Sequence, residues 1–207
     1  MDEGLRRMIE RAEQGDVEYM VMVGDCYNRG LYTEKDEKEA YRYYKMAADK
    51  GNAGAEFMVG LSYLYGDGVA KDKKLARQYI RSAADKGVSK AQFVFGIMCL
   101  AGEAGFLIGK RTAVEYFEKA ARQGLAEAQI KLADAYFLGN GVAKDLDKSV
   151  FWMACAYLHG NDAREESQEA VNRFNALLEA GVPGGRTYID SIIEKVKTNF
   201  ISYTKES

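Results

Sequence analysis

The amino-acid sequence predicts an all-α fold built from repeated helix pairs, and three observations lead to this prediction. Five glycines recur at steps of 36, 36, 37 and 36 residues, at Gly15, Gly51, Gly87, Gly124 and Gly160. The chain holds 21 glycines but one proline, so glycine is the residue that separates the segments. The segments themselves are rich in Ala, Leu, Glu, Lys and Arg, which favour helices. A fixed period of this length is typical of repeat proteins.

The first helix of each repeat, helix A, follows the leading glycine. In the second repeat Val59, Gly60 and Tyr63 lie at i, i+1 and i+4, on one face of a helix. Glycine or alanine fills the slot of Gly60 in every repeat, which lets a neighbouring helix approach closely. The corresponding residues are Gly24, Gly96 and Ala133. We expect helix A near 16–29, 52–65, 88–101 and 125–138.

The second helix, helix B, begins at an aspartate in three of the repeats. Asp36, Asp72 and Asp145 suit the N-cap position, where the carboxylate accepts backbone N–H bonds. The glycines that precede this segment suit the left-handed conformation that ends a helix. We expect helix B near 36–50, 72–86, 110–123 and 145–159. One helix pair cannot bury its apolar face alone, so the pairs must stack into a solenoid of about four repeats.

Different sequences flank the repeats at both ends. A short helix at about 3–14 would cap the N-terminal end, whereas residues 161–180 read as one longer helix that GVPGG (181–185) breaks. A last amphipathic helix is predicted at 187–202, with the apolar stripe Ile189, Ile192, Ile193, Val196 and Phe200. The predicted domains are an N-terminal cap at 1–14, repeats at 15–50, 51–86, 87–123 and 124–160, and a C-terminal cap at 161–207.

Two segments carry a family resemblance. Residues 55–87 and 128–160 resemble Sel1-like repeats, with an Ala, a Leu-Gly-like pair, a Tyr and a Gly-x-Gly-Val loop before helix B. That loop is Gly66-Asp67-Gly68-Val69 in one repeat and Gly139-Asn140-Gly141-Val142 in another. Repeat one departs from the pattern at 31–35 and repeat three at 103–108. The resemblance implies a right-handed α/α superhelix related to tetratricopeptide repeats.

The resemblance also implies a function. Sel1-like proteins, often bacterial, act as scaffolds or adaptors in protein complexes, and some are immunity proteins that silence a cognate toxin or effector. We therefore expect a partner protein or peptide, with the immunity role as the alternative. A cysteine-rich branch of the family is credited with β-lactam binding or hydrolysis. That branch pairs cysteines about seven residues apart within a unit, and no repeat of this chain does so. A hydrolase is the third reading, and the chain is expected not to be an enzyme.

Composition narrows the choice of partner and compartment. The 29 Lys and Arg residues nearly balance the 31 Asp and Glu residues, so no strongly basic face for nucleic acid is expected. No run of about 18 apolar residues is present, which predicts no membrane span. The charged first residues lack the apolar core of a signal peptide, and the odd number of cysteines fits a reducing compartment. A cytoplasmic location is expected.

Candidate chemical sites have structural explanations. His159 stands where Lys50, Lys86 and Gln123 stand in the other repeats, so it is read as a residue that caps helix carbonyls. The Gly-x-Gly-Val loops lack the order of a phosphate-binding loop and are read as turns. Cys99 is read as a small apolar core residue, and no redox role is expected for it or for Cys26 and Cys155, which fall at non-equivalent positions. No catalytic, cofactor-binding or metal-binding residue is predicted.

The candidate site is instead a face of helix A. By analogy with tetratricopeptide repeats, the inward slots lie three, six, ten, thirteen and fourteen residues after each leading glycine. Its partner-binding residues are predicted to be Asp25, Arg29, Phe57, Leu61, Leu64, Tyr65, Phe93, Ile97, Leu100, Ile130, Asp134 and Phe137. Two readings stay open: an exposed apolar groove with a polar rim, or residues that pack in the core. The irregular loop with Phe106, Leu107 and Ile108 is a second candidate surface.

Overall fold

The structure is a computed structural model that describes residues 2–101, 109–159, 172–176, 178–179 and 184–203. Within these ranges the regular secondary structure is entirely helical. The helices are α1 (Glu3–Glu13), α2 (Val17–Arg29), α3 (Glu37–Asp49), α4 (Ala53–Tyr65), α5 (Lys73–Asp85), α6 (Ser89–Ala101), α7 (Lys110–Arg122), α8 (Ala126–Leu138), α9 (Leu146–His159) and α10 (Gly185–Tyr203). Residues 172–176 and 178–179, between α9 and α10, are also helical.

The predicted helices are confirmed to within about two residues, because the residues that stop and start them act as the sequence indicates. The side chain of Asp36 accepts bonds from the N–H groups of Lys38 and Glu39, and Asp72 caps α5 in the same way. Helix A ends at a left-handed glycine in three repeats, at Gly30, Gly66 and Gly139. Of the longer helix predicted at 161–180, residues 161–171, 177 and 180 lie outside the described residues.

The chain forms two compact units, unit 1 (Met1–Phe95) and unit 2 (Gly96–Ser207). In unit 1, α1 packs on α2, α2 on α3, α3 on α4, and α4 on α5. In unit 2, α7 packs on α8, α8 on α9, and α9 on α10. Packing between sequence neighbours is the arrangement of a helical solenoid, so the predicted all-α stack of helix pairs is confirmed within each unit. Among the described residues, no helix is long and apolar enough to cross a membrane.

The mid-helix glycines are confirmed as packing residues. A Cβ placed on Gly60 would lie 2.6 Å from Cγ1 of Ile80 in helix B of the same repeat. A Cβ on Gly24 would lie 2.7 Å from the ring of Tyr44, and one on Gly96 would lie 2.6 Å from the ring of Phe117. These slots exclude a side chain because the partner helix occupies its space, which offsets the helix-propensity cost of glycine.

The Gly-x-Gly-Val loops fix one repeat to the repeat before it. Gly68 has φ +71°, and a Cβ there would lie 2.0 Å from the carbonyl oxygen of Glu37, the first residue of α3. Gly141 has φ +85°, and its Cβ would lie 2.5 Å from the carbonyl oxygen of Lys110, the first residue of α7. Both positions therefore need glycine for conformation and for space. These two contacts agree with the prediction that the loops are structural turns and not phosphate-binding loops.

Candidate functional site

Five of the predicted helix-A residues of unit 1 are half-buried or exposed. Leu61 and Leu64 of α4 are half-buried, and Tyr65 at the end of α4 is 59% exposed. Asp25 of α2 is half-buried and Arg29 is exposed. We call these five residues the unit-1 face. A pocket of about 220 Å³ lies beside Leu61 and Tyr65, and its other lining residues are Asn28, Glu37, Ala40, Tyr44, Met58, Ser62 and Asp67.

A buried tyrosine orients the carboxylate of this face. Tyr44 is 2% exposed, and its hydroxyl donates a hydrogen bond of 2.6 Å to Oδ1 of Asp25. Burial first, and then this hydrogen bond, raise the pKa of the Tyr44 hydroxyl, so it remains a donor at neutral pH. The pocket that Tyr44 also lines has apolar walls from Leu61 and Met58, and Glu37 and Asp67 contribute carboxylates to it. Glu37 is paired with Lys35 at 2.7 Å.

Two predicted site residues are buried, and their assignment to an exposed surface is corrected. Phe57 is 8% exposed and Ile130 is 2% exposed. Ile130 belongs to a hydrophobic cluster that includes Phe174, Ile189 and Val196. The slot six residues after the leading glycine therefore points into the core in repeats two and four, where a partner could not reach it without unfolding. Phe93, in the same slot of repeat three, is half-buried.

The other predicted residues of repeat four face the chain's own C-terminal segment. Phe137 packs against the cluster that holds Phe174 and Ile189. Asp134 pairs with Arg173, with 3.2 Å between Oδ2 and Nη2. Both residues are half-buried, and their contacts include residues from beyond the repeats. Ile97 and Leu100 of α6 are exposed, as predicted for a surface. The loop with Phe106, Leu107 and Ile108 lies outside the described residues.

The residue that corresponds to His159 in repeat two, Lys86, has a structural role. Lys86 donates to Oε1 of Glu56 at 2.7 Å and to the carbonyl oxygen of Gly51 at 3.3 Å. Ser82 donates to the other carboxylate oxygen of Glu56 at 2.9 Å. The buried Glu56 is thus fully hydrogen-bonded within its repeat, which is what a structural carboxylate requires. The sequence did not reveal this network, because its members are 26 and 30 residues apart.

The three cysteines are buried thiols. Burial raises the pKa of the Cys26 thiol, and it raises the pKa of the Cys155 thiol to about 12. The nucleophilic form of cysteine is the thiolate, so neither environment activates the sulfur. A search of the described ranges finds no group of three or more His, Cys, Asp and Glu side chains placed to hold a metal ion.

Comparison with known proteins identifies the repeat. A family model described as the Sel1 repeat matches residues 17–52, 53–88, 89–125 and 126–161, each match beginning two residues after the predicted start of a repeat. A comparison with curated proteins finds no match.

Solved structures show the same fold. The chain is similar to c5321, a protective antigen of uropathogenic Escherichia coli with an SLR fold (30% identity, TM-score 0.80), and the match covers 94% of this chain and 41% of c5321. It is also similar to a Sel1 repeat protein of Oxalobacter formigenes, with 24% identity, TM-score 0.68 and coverage of 86% and 85%. The immunity protein Pa5087 of Pseudomonas aeruginosa shares the fold at 21% identity and TM-score 0.51, with coverage of 75% and 57%.

Proposed function

Because the chain belongs to the Sel1 repeat family, we propose that it is a scaffold that binds a partner protein or peptide through the unit-1 face. The observation that carries the proposal is the exposure of Tyr65 beside the half-buried Leu61 and Leu64. A large aromatic residue next to aliphatic side chains, with charged groups at the rim, is the composition of many binding surfaces. Phe93, Ile97 and Leu100 are further proposed contact residues.

The proposal does not extend to Phe57 and Ile130, whose burial assigns them to the core. It also treats the partner as a protein rather than a nucleic acid, since the charge of the chain is nearly balanced. We propose no catalytic role, because repeats of this family are scaffolds and the described thiols have raised pKa values at Cys26 and Cys155. The cytoplasmic location expected from the sequence remains part of the proposal.

The test is a charge placed on the unit-1 face. We expect the full chain with Leu61→Glu to lose its bound proteins in affinity purification, because a carboxylate would enter an apolar contact. Leu31→Glu is the matched control, since Leu31 is an exposed leucine of the same unit outside the face. Circular dichroism must show that both variants keep the melting temperature of the native chain. Retention of the same partners by folded Leu61→Glu would contradict the proposal.

A second candidate function is neutralisation of a cognate toxin or effector. Its support is that the immunity proteins Pa5087 and PA5088 of Pseudomonas aeruginosa share the fold. At 21% and 19% identity this likeness concerns the fold alone. The two functions differ in a measurable way: an immunity protein rescues the growth of cells that express the bound effector, whereas an adaptor does not. Loss of that rescue in Leu61→Glu, but not in Leu31→Glu, would assign neutralisation to the unit-1 face.

A further inference from the structure

Two aspartates occupy one slot of the repeat and differ in what they bind. Asp25 and Asp134 both stand ten residues after a leading glycine, Gly15 and Gly124. In unit 2 the carboxylate of Asp134 pairs with the guanidinium of Arg173, which stands thirteen residues after Gly160. In unit 1 the slot thirteen residues after the next leading glycine holds Leu64. Counted from the leading glycines, an arginine holds this position in unit 2 and a leucine holds it in unit 1, where Arg29 stands four residues after Asp25 on α2.

The carboxylate of Asp25 has capacity for a further donor. Tyr44 donates to Oδ1, and none of the ion pairs among the described residues involves Asp25. An ionised carboxylate offers about four acceptor sites on its two oxygens, so one hydroxyl donor leaves room for a cation. Arginine is the cation best suited to a half-buried carboxylate, because its planar guanidinium is weakly hydrated and carries several donors.

Two aromatic residues show the same contrast. Tyr65 and Phe174 both stand fourteen residues after a leading glycine, and they are 59% and 8% exposed. Phe174 packs edge-on against Tyr157, with 6.4 Å between ring centroids, and shares a cluster with Ile189 of α10. α10 brings Ile189, Ile192, Ile193 and Val196 to this cluster, at i, i+3, i+4 and i+7. An amphipathic helix is thus the element that packs on Phe174 in unit 2.

We propose that the unit-1 face binds an amphipathic helix of a partner protein, which supplies an arginine to Asp25 and aliphatic side chains to the pocket beside Leu61 and Tyr65. This inference rests on the proposed function and names the chemistry of the partner. Charge supports it, since Asp67 lines the same pocket as Leu61 and favours a basic helix over an acidic one. The aliphatic stripe at i, i+3, i+4 and i+7 is the pattern with which helices bind grooves.

The probe is a display library of helical peptides of the length of α10, selected on the full chain and varied on one face. We expect the selected peptides to share an arginine next to an aliphatic stripe. Asp25→Asn keeps the shape of the side chain and removes its charge, so we expect roughly tenfold weaker binding of a selected peptide by fluorescence anisotropy. Leu31→Glu should bind it as the native chain does. Selection on Asp25→Lys should return peptides with glutamate or aspartate in place of the arginine.

The outcomes separate this inference from the proposed function. Selected peptides without a basic residue, or unchanged affinity of folded Asp25→Asn, would overturn the arginine pairing even where Leu61→Glu still loses the cellular partner. Peptides whose binding survives both Asp25→Asn and Leu61→Glu would overturn the placement of the helix on the unit-1 face. Light scattering that shows a dimer of the native chain and a monomer of Leu61→Glu would identify a second copy as the occupant and reject a partner protein.

Discussion

Tyr65 in unit 1 and Phe174 in unit 2 occupy the same position relative to a leading glycine, yet one is exposed and the other is buried. Asp25 and Asp134 also share a position relative to a leading glycine, and they differ in their partners. Asp134 forms an ion pair with Arg173, whereas Asp25 accepts a hydrogen bond from Tyr44. In unit 2, Phe174 and residues of α10 such as Ile189 pack in one cluster with Ile130 of repeat four. A slot of this repeat becomes core or surface according to what covers it.

We expect the largest effect on the reactivity of Cys155, because Phe174 and α10 bury the cluster that holds it. This thiol lies in the cluster with Phe174 and Ile189, and burial raises its pKa to about 12. At pH 8 the thiolate fraction falls about tenfold for each unit by which the pKa rises, so we expect alkylation by iodoacetamide to be about a thousandfold slower than in the unfolded chain. Mass spectrometry of the modified peptide measures the rate. Equal rates in folded and unfolded protein would mean that the cover opens readily.

Replacement of the paired aromatic residues tests the comparison through stability. Phe174→Ala should lower the free energy of unfolding of unit 2 by about 3–4 kcal/mol, because it leaves a cavity in the core. Tyr65→Ala should change the stability by no more than about 0.5 kcal/mol, because the ring is mostly in solvent. Urea denaturation followed by circular dichroism compares the two variants. If Tyr65→Ala were as destabilising as Phe174→Ala, the unit-1 face would be core and not a binding surface.

A smaller effect is expected where two repeats differ between glycine and alanine in the slot of Gly60. Gly60→Ala should destabilise by about 1–2 kcal/mol despite its better helix propensity, because the new Cβ would meet Ile80 at 2.6 Å. Ala133→Gly should cost about 1 kcal/mol through the lost propensity alone, since Met153 of the same cluster is unbranched and adapts its shape. Thermal melting of both variants measures this. A Gly60→Ala variant more stable than the native chain would show that α4 and α5 are less closely packed than the structure indicates.

The sequence predicted the helices well because their determinants are local. Asp36 and Asp72 cap helices whose first turns follow them directly, and Gly30 and Gly66 end helices by their own conformation. Gly60 was identified as a packing residue because its slot recurs, although its contact with Ile80 is twenty residues away.

The candidate site was harder to predict, because exposure depends on distant residues. Ile130 and Leu61 are both apolar residues of helix A, yet Ile130 is buried in a cluster with Phe174 and Ile189, whereas Leu61 is half-buried. After Gly160 the repeat pattern fades, so the sequence did not show that Arg173 would reach Asp134. The contact of Gly68 with Glu37 was likewise hidden, since it joins the loop of one repeat to the first turn of the preceding helix B.

That contact constrains how such a chain changes in length during evolution. Gly68 lies against the carbonyl oxygen of Glu37, and Gly141 against that of Lys110, so each loop fits the start of a helix in the repeat before it. Duplication or deletion of one whole repeat brings an equivalent helix start to every loop and preserves the fit. An insertion of a few residues between the loop and that helix would instead move the glycine away from the carbonyl oxygen that it packs against. Genes for such proteins should therefore gain and lose length in whole repeats, with smaller insertions confined to loops that carry no such glycine.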